Sequence, residues 1–320
     1  MSTEPGSVVD RALRLLDLDT QLPSSHPGSM SRSGVYRVRV GDDDAVLKVT
    51  GAGQGQDGAR RELAFYLTLA ERVPVATPRL LAHVDAEALT ALVLSSHGRA
   101  LPARDWHRFD WLAAARELAA LHSISAPHGE LWRRRHWLQE VIDEPSFTRA
   151  RDYWSGTPAE DLIAHVAEAP GALAEVVAVT EDCFIHGDCN VDNLLHDEGG
   201  RVVWVDWTGA RIGSPVIDLV FLWGMFWNRR ERVAPDPPRE EIVREYAGLR
   251  GIDPATLRWP LVAAEIATLL FGWPGYARAH SREEQDRTTR RLIQLTEEWL
   301  SRPRPGGGAA RQLVVCGTSS

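Results

Sequence analysis

The first hundred residues alternate between helical and strand-like patterns of apolar and polar positions. Residues 7–18 (SVVDRALRLLDL) place apolar side chains three and four residues apart, which predicts an amphipathic helix. Residues 34–40 (GVYRVRV) and 45–50 (AVLKVT) alternate as strands do, and the GDDD between them predicts a hairpin turn. The same criteria predict a helix over 59–73 and two more strands within 77–96. This part of the chain therefore predicts a small antiparallel sheet with one helix inserted after its second strand.

Beyond residue 97 the apolar spacing is mainly helical. The clearest helix is predicted over 106–124, and helical spacing also fills most of 215–300. The segment VVWVDW (202–207) predicts a short strand. Weaker helical patterns are found near 131–143, 159–168 and 172–180.

This change of pattern divides the chain into two lobes and a tail. We expect an N-terminal lobe over 1–96 and a larger C-terminal lobe over 97–301. A chain of 320 residues is long enough for both lobes to bury a core. The last residues, 302–320, are rich in Pro, Gly and small side chains, which predicts a flexible tail.

Composition and charge narrow the classes of function. With a net charge of −8, the chain is not expected to carry a generally basic surface for nucleic acid. The longest apolar run, 216–227, is shorter than the about 20 residues that a membrane span needs. The first residues show no secretory signal, and the three cysteines lack CxxC spacing, which suits a reducing cytosol. These features predict a cytoplasmic protein without a nucleic-acid or membrane partner, and they leave the oligomeric state open.

Lys48 is the only lysine among 36 basic residues, because every other one is arginine. A coding bias of a GC-rich genome is the simplest hypothesis for the arginines. Under such a bias, lysine should survive where a compact ammonium is needed and a wide planar guanidinium does not fit. The alternative at this point is that the single lysine remains by chance.

A loop at 186–188 and the hairpin behind it carry the side chains best suited to chemistry. The tripeptide HGD follows a short apolar run, and Asn193 comes five residues after Asp188. With glycines 199–200 at the centre of the turn, Asn193 would face Asp206, and a four-residue turn would keep both on one face. An amide oxygen and a carboxylate there suit a hard cation such as Mg²⁺. Asp188 is then placed to orient or deprotonate a hydroxyl, as phosphoryl transfer requires.

The second half of the chain resembles the aminoglycoside phosphotransferase and choline kinase family of small-molecule kinases. The resemblance is carried by HGD, the asparagine five residues after its aspartate, VDW and GSPVIDLV. The resemblance implies an α+β, bilobal protein-kinase-like fold with a small antiparallel-sheet N-lobe and a larger, mainly helical C-lobe. It implies that Asp188 is the catalytic residue and that Asn193 and Asp206 are metal ligands. It also implies that Asp218 holds the catalytic loop, and we expect His186 to support that loop by hydrogen bonds.

The resemblance places the nucleotide-binding residues in the N-lobe and in the hinge after it. Lys48 in VLKV and Glu62 in RRELAFY match the family's strand lysine, which touches the nucleotide phosphates, and its partner glutamate. The hinge falls at LSSHG, where backbone groups near Ser95 and His97 are expected to hold adenine.

The sequence departs from the family in the nucleotide-covering turn and after the catalytic aspartate. The turn SMSRSG has a single glycine after its serines, so we assign no phosphate contact to Ser31 or Ser33. Cys189 stands where the family commonly has an apolar residue, and Asn190 stands where a histidine is frequent. Cys189 is expected to be a packing residue, because the sequence specifies no basic partner for it.

These inferences predict a phosphotransferase that uses ATP and Mg²⁺ to phosphorylate a hydroxyl of a small-molecule acceptor. An aminoglycoside-type antibiotic is one acceptor class, which would imply antibiotic resistance. A metabolic kinase of choline, homoserine or a sugar is an alternative within the same fold. A nucleotide-binding module without catalysis is a further alternative, although such a module has no need of the Asp188 carboxylate.

Overall fold

The computed structural model describes residues 5–18, 24–25, 34–53, 55–133, 144–224 and 237–302. Ser31, Ser33, most of the helix predicted near 131–143 and the tail beyond residue 302 lie outside these ranges.

The N-terminal part forms a five-stranded antiparallel sheet in the order β1-β2-β3-β5-β4. The predicted hairpin joins β2 to β3, and Lys48 lies at the centre of the sheet, opposite Val35 on one side and Leu92 on the other. The strands are β1 (Ser24–Ser25), β2 (Gly34–Val40), β3 (Asp43–Gly51), β4 (Leu80–Ala86) and β5 (Leu89–Ser95).

Two helices cover this sheet, as the sequence predicts. Helix α1 (Pro5–Leu15) buries its apolar stripe in the same cluster as Leu47 and Val49 of β3. Because side chains alternate along a strand, Lys48 points to the opposite face, where α2 (Gln56–Thr68) lies. Alternation along one strand thus directs the single lysine toward the helix that carries Glu62.

The C-terminal part is mainly helical, with short strands around the HGD loop. Strands β8 and β9 form the predicted hairpin, β6 pairs with β8, and β7 pairs with β10. Helix α4 was not predicted from the sequence. The helices are α3 (Arg108–Leu121), α4 (Glu144–Trp154), α5 (Glu160–Ala167), α6 (Pro170–Val177), α7 (Val216–Leu222), α8 (Arg239–Arg250), α9 (Pro254–Ala267) and α10 (Arg282–Leu300). The strands are β6 (Arg99–Ala100), β7 (Cys183–Ile185), β8 (Leu194–His196), β9 (Val202–Trp204) and β10 (Arg211–Gly213).

The longest apolar helical segment of the described residues is α9 with the helical turns that follow it, and not the run at 216–227. Of the described residues, Pro254–Gly275 is the one segment long and apolar enough to cross a membrane by length and composition alone. However, 72% of its most apolar window is buried inside the fold, where α9 packs against α6, α7 and α10. Burial on most sides is the pattern of a central core helix.

Candidate active site

Asp218, in the first turn of α7, holds the backbone of the HGD loop. Its Oδ2 accepts the N–H of His186 at 2.7 Å, and its Oδ1 accepts the N–H of Gly187 at 2.7 Å. The carboxylate is 0% exposed, so water does not compete for these bonds. Asp218 therefore contacts the HGD loop, as the family resemblance implied.

Two side chains from distant helices complete the surroundings of Asp218. His122 Nε2, at the end of α3, lies 3.1 Å from Asp218 Oδ2, and His122 Nδ1 lies 2.9 Å from the Tyr246 hydroxyl on α8. Burial raises the pKa of Asp218, but the hydrogen bonds that it accepts from His122 and from the N–H of Gly187 favour the carboxylate, and the net effect lowers that pKa. Sequence reasoning missed the roles of His122 and Tyr246, because no local pattern links them to the loop.

We expect Asp218→Asn to lower the free energy of unfolding by about 3 kcal/mol, the upper end of the contribution of a hydrogen bond to a charged group. The asparagine amide would turn a donor toward a backbone N–H that now has an acceptor. Because the folded pKa is lowered, this stabilisation is complete above the unfolded pKa of about 3.9 and is lost as pH falls through the folded pKa. Urea unfolding from pH 7 downward should show the difference between the two proteins shrinking in acid. A difference independent of pH would contradict this account.

Gly187 and His186 fix the conformation of the same loop. Gly187 has φ +77°, and a Cβ there would lie 2.2 Å from the carbonyl oxygen of Gly209. Both the backbone conformation and the close approach therefore require glycine. His186 Nε2 lies 3.0 Å from the carbonyl oxygen of Val205, and its Nδ1 accepts the N–H of Asp188 at 3.3 Å. Burial lowers the pKa of His186, so a neutral ring braces the loop against the segment after β9.

The Asp188 carboxylate is held by amides at both of its oxygens. Asn193 Nδ2 donates to Oδ2 at 3.0 Å, and Asn190 Nδ2 donates to Oδ1 at 3.0 Å. Burial and the charge of Asp206 raise the pKa of Asp188 to about 7, although the two amide bonds act against that rise. The expected catalytic residue is thus oriented by two neighbours of its own loop.

The register predicted for the hairpin is wrong by one position. Leu194 pairs with Trp204, and the N–H of Val205, rather than a group of Asp206, bonds to the Asn193 carbonyl oxygen at 3.0 Å. The loop has three residues because Gly200 N–H bonds to the Asp197 carbonyl oxygen at 3.0 Å, and Gly200 adopts φ +77°. Asn193 and Asp206 therefore do not face each other as a cross-strand pair.

Lys48, Glu62 and Asp206 form a compact ion cluster. Lys48 Nζ lies 2.8 and 2.6 Å from the two oxygens of Glu62 and 3.0 Å from Asp206 Oδ1. Lys48 is 8% exposed and Glu62 is 1% exposed. Burial lowers the pKa of Lys48, but the charges of Asp206 and Glu62 outweigh it and raise that pKa, so the side chain is an ammonium. The structure thus joins the single lysine to two of the carboxylates that the sequence singled out, Glu62 and Asp206.

Asp206 reaches this cluster through an unusual backbone conformation. It has φ +65°, which is uncommon for a residue other than glycine and is found mostly at functional sites. Thr208 Oγ1 donates to Asp206 Oδ1 at 3.0 Å, and Arg61 Nη1 donates to the carbonyl oxygen of Thr208 at 2.5 Å. Helix α2 therefore fixes the Asp206 segment through Arg61 as well as through the Lys48–Glu62 pair. No sequence pattern pointed to Arg61 or Thr208.

The oxygen atoms of Asn193 and Asp206 fit a hard metal ion such as Mg²⁺. Among the described residues, donors reach Asp206 only at Oδ1, and none reaches the side-chain oxygen of Asn193. Asp188 and Asp206 are also close enough for their charges to repel, since Asp206 raises the pKa of Asp188. A divalent cation bound by oxygen ligands would offset that repulsion. The described residues contain no cluster of three His, Cys, Asp or Glu side chains that would hold a metal by themselves.

At the hinge, the backbone N–H and C=O of His97 are available to bind a ligand. Ser95 N–H bonds to the Arg79 carbonyl oxygen at 2.9 Å, and Ser95 Oγ lies 2.8 Å from His97 Nε2. Within the described part of the chain, no group pairs with the backbone N–H or C=O of His97. A Cβ at Gly98 would lie 1.6 Å from the carbonyl oxygen of His196, so the hinge must have glycine there. Sequence reasoning expected backbone binding near His97 but did not recognise the need for Gly98.

The class of protein-kinase-like phosphotransferases is defined by two features. One is an antiparallel sheet that carries a lysine–glutamate pair, and the other is a helical lobe, joined to the sheet by a hinge, that carries HGD and its asparagine. The chain belongs to the phosphotransferase enzyme family APH, which it matches over residues 26–260. The family and the α+β, bilobal fold predicted from the sequence are thereby confirmed. The chain is a small-molecule kinase that uses a nucleotide.

Solved structures share this fold at low sequence identity. A microcompartment-associated aminopropanol kinase is 19% identical, with 92% of this chain and 98% of that chain covered and a TM-score of 0.66. The GDP and kanamycin complex of APH(2'')-IIia is 17% identical, with coverage of 92% and 97% and a TM-score of 0.62. The gentamicin complex of APH(2'')-IIa is 16% identical, with coverage of 95% and 98% and a TM-score of 0.59. No curated protein sequence matches the chain closely enough to count as a relative.

Proposed function

We propose that the protein transfers the γ-phosphate of ATP, with Mg²⁺, to a hydroxyl of a small molecule that also carries an amine. The observation that carries this proposal is the Asp188 carboxylate, held at both oxygens and electrostatically coupled to Asp206 in the Lys48 cluster. In the reaction, Asp188 orients the acceptor hydroxyl and accepts its proton as the oxygen bonds to phosphorus. The bond between the γ-phosphorus and the β–γ bridging oxygen breaks, and ADP is the leaving group.

The other site residues act on the nucleotide. Lys48, oriented by Glu62, contacts the α- and β-phosphates, and Asn193 and Asp206 would hold Mg²⁺ through side-chain oxygens that no donor reaches among the described residues. When bound, the cation neutralises charge on the β- and γ-phosphates. The hinge holds adenine through backbone groups near Ser95, the last residue of β5, and His97, which precedes β6. We also propose that the lobes divide there, at residues 96 and 97.

The acceptor class is supported by chemistry that the structural neighbours share. Kanamycin, gentamicin and aminopropanol, named for those neighbours, all combine hydroxyl groups with amines. The net charge of −8 is compatible with a cationic acceptor. A role in antibiotic resistance follows if the acceptor is an aminoglycoside, and a metabolic role follows if it is a simple amino alcohol. The proposed use of ATP and the free thiols of Cys183 and Cys189 support a cytoplasmic location.

An acceptor panel tests the proposal. The protein is assayed for nucleotide consumption and product mass with kanamycin, gentamicin, 1-amino-2-propanol, choline, homoserine and an amine-free sugar, with ATP or GTP. We expect phosphorylation of at least one amine-bearing acceptor with ATP, and loss of turnover when EDTA removes Mg²⁺. Turnover on the sugar alone would overturn the amine requirement. Nucleotide binding without turnover on the whole panel would favour the non-catalytic module.

A further inference from the structure

Asn190 links the two ends of the short turn that follows Asp188. It is 5% exposed, and its side-chain oxygen accepts the N–H of Asp192 at 3.0 Å. Its amide nitrogen donates to Asp188 Oδ1 at 3.0 Å and lies 3.3 Å from the Asp188 carbonyl oxygen. Because the backbone N–H of Asp192 can only donate, the orientation of the Asn190 amide is fixed, and its nitrogen must face Asp188.

The same turn places the second amide on Asp188. Asn190 begins a 3₁₀ turn, Val191–Asn193, and the N–H of Asn193 bonds to the Asn190 carbonyl oxygen at 2.9 Å. Asn193 Nδ2 then donates to Asp188 Oδ2 at 3.0 Å and to the Asp188 carbonyl oxygen at 2.8 Å. The two asparagines thus hold opposite oxygens of one carboxylate, and Asn190 also starts the turn that brings Asn193 into place.

Two donors are needed because the terminal torsion of an aspartate is soft. The χ2 angle of aspartate is broadly distributed, so a single donor leaves the plane of the carboxylate free to rotate. Two donors on opposite oxygens fix that plane. A carboxylate has about four acceptor positions, so each oxygen keeps capacity for an incoming hydroxyl.

We propose that Asn190 is a positioning residue that fixes the plane of the Asp188 carboxylate for transfer to the acceptor hydroxyl. This inference rests on the proposed function of Asp188 as the residue that orients the hydroxyl. Asn190 performs this role in addition to starting the turn, and the two roles can be separated by substitution.

Two substitutions, Asn190→Ser and Asn190→Asp, separate the start of the turn from the positioning of Asp188, because Ser and Asp both start helical turns well. Serine is too short to reach Asp188, and aspartate would place an acceptor where Asp188 now receives a donor. We expect Asn190→Ser to lower kcat roughly 10- to 100-fold, as loss of an orienting partner commonly does. Asn190→Asp should lower kcat further, by about 100-fold or more, because two carboxylates would then repel. For Asn190→Ser, the KM for ATP should stay within about twofold and Tm within about 2 °C, since the nucleotide contacts and the turn are retained.

Asp253 is a matched control for turn formation. Its side chain accepts the N–H of Ala255 at 3.0 Å at the start of α9, the same contact over the same spacing as in Asn190. Asp253→Ala should lower Tm and leave kcat unchanged. If Asn190 only starts its turn, Asn190→Ser will keep wild-type kcat, and Asn190→Ala will behave like Asp253→Ala.

The assay uses kanamycin, 1-amino-2-propanol and water as acceptors, and includes Asp188→Asn beside the Asn190 variants. A fall in kcat for Asn190→Ser, with ATP KM and Tm unchanged, supports the inference. Two results overturn the inference, provided that Asp188→Asn is still inactive. One is wild-type kcat in Asn190→Ser, and the other is a parallel loss of kcat, ATP affinity and Tm in that variant. Wild-type kcat in Asp188→Asn would instead overturn the proposed function itself.

Discussion

Asp188→Asn should lower kcat by about 100- to 10,000-fold, the range that a positioned general base contributes, while nucleotide affinity is retained. The substitution keeps the size of the side chain but removes its ability to accept a proton. It also turns a donor toward Asn190 or Asn193, both of which donate to the carboxylate at 3.0 Å. Nucleotide affinity should not fall, since Asp188 repels Asp206 and has no contact with the Lys48 cluster. Steady-state turnover and calorimetric titration with a non-hydrolysable ATP analogue measure the two effects.

Asp197→Asn is a suitable control, because it makes the same chemical change on the same stretch of chain. Asp197 Oδ1 accepts the N–H of Gly199 at 2.9 Å and the N–H of Arg201 at 2.8 Å in the exposed hairpin loop. An asparagine oxygen can accept both bonds, so turnover should match the wild type. Equal loss of nucleotide affinity and turnover in Asp188→Asn would show that Asp188 binds the nucleotide instead of acting on the acceptor.

Most of the secondary structure could be predicted because it follows from apolar periodicity. Alternation in AVLKVT placed Lys48 on the face of the sheet opposite Leu47, and the structure has that arrangement. Helices α3, α5 and α6 lie within a few residues of their predicted bounds. Helix α4 was missed because EPSFTRARDYW is mostly polar or charged, so few apolar positions are left to mark a helical period.

The hairpin register could not be predicted, because the glycine pair alone does not decide the length of the loop. Asp197 accepts two backbone N–H groups of the loop, which favours three loop residues with Gly200 in the left-handed conformation. The glycine pair permits a two-residue turn equally well. A difference of one residue moves every pairing partner by one position, so Asn193 does not face Asp206.

The Lys48–Glu62 pair was predicted from the family resemblance, whereas the contact of Lys48 with Asp206 and the supporting contacts were not. Lys48, Glu62 and Asp206 have recognisable surroundings in the sequence, and the structure brings them together. Arg61, His122 and Asn190 act through hydrogen bonds to groups whose partners only the fold determines. Contacts of this kind carry no local periodicity, so sequence reasoning identified the charged centre and missed the residues that orient it.

Lys48→Arg should lower kcat/KM for the nucleotide by about 100-fold, although it conserves charge, because a misplacement of about 1 Å can have that effect. Lys48 Nζ donates to three carboxylate oxygens, at 2.6, 2.8 and 3.0 Å. A guanidinium spreads its five donors over a plane and cannot place one nitrogen between carboxylates that converge on a point. The larger side chain is also forced into a site that is 8% exposed, at a cost of about 1–3 kcal/mol in stability. Kinetics with ATP and urea unfolding measure both effects.

Lys48→Met and Arg60→Lys decide whether charge or shape explains the result. If charge alone mattered, Lys48→Arg would keep activity and Lys48→Met would lose it; if the compact ammonium matters, both lose activity. Arg60 pairs with Asp85 at 3.0 Å on the exposed side of α2, with side chains 40% and 39% exposed. Its replacement by lysine should leave turnover unchanged, since exposed pairs tolerate the exchange. Wild-type activity in Lys48→Arg would mean that the only lysine of the chain survived among 36 basic residues by chance.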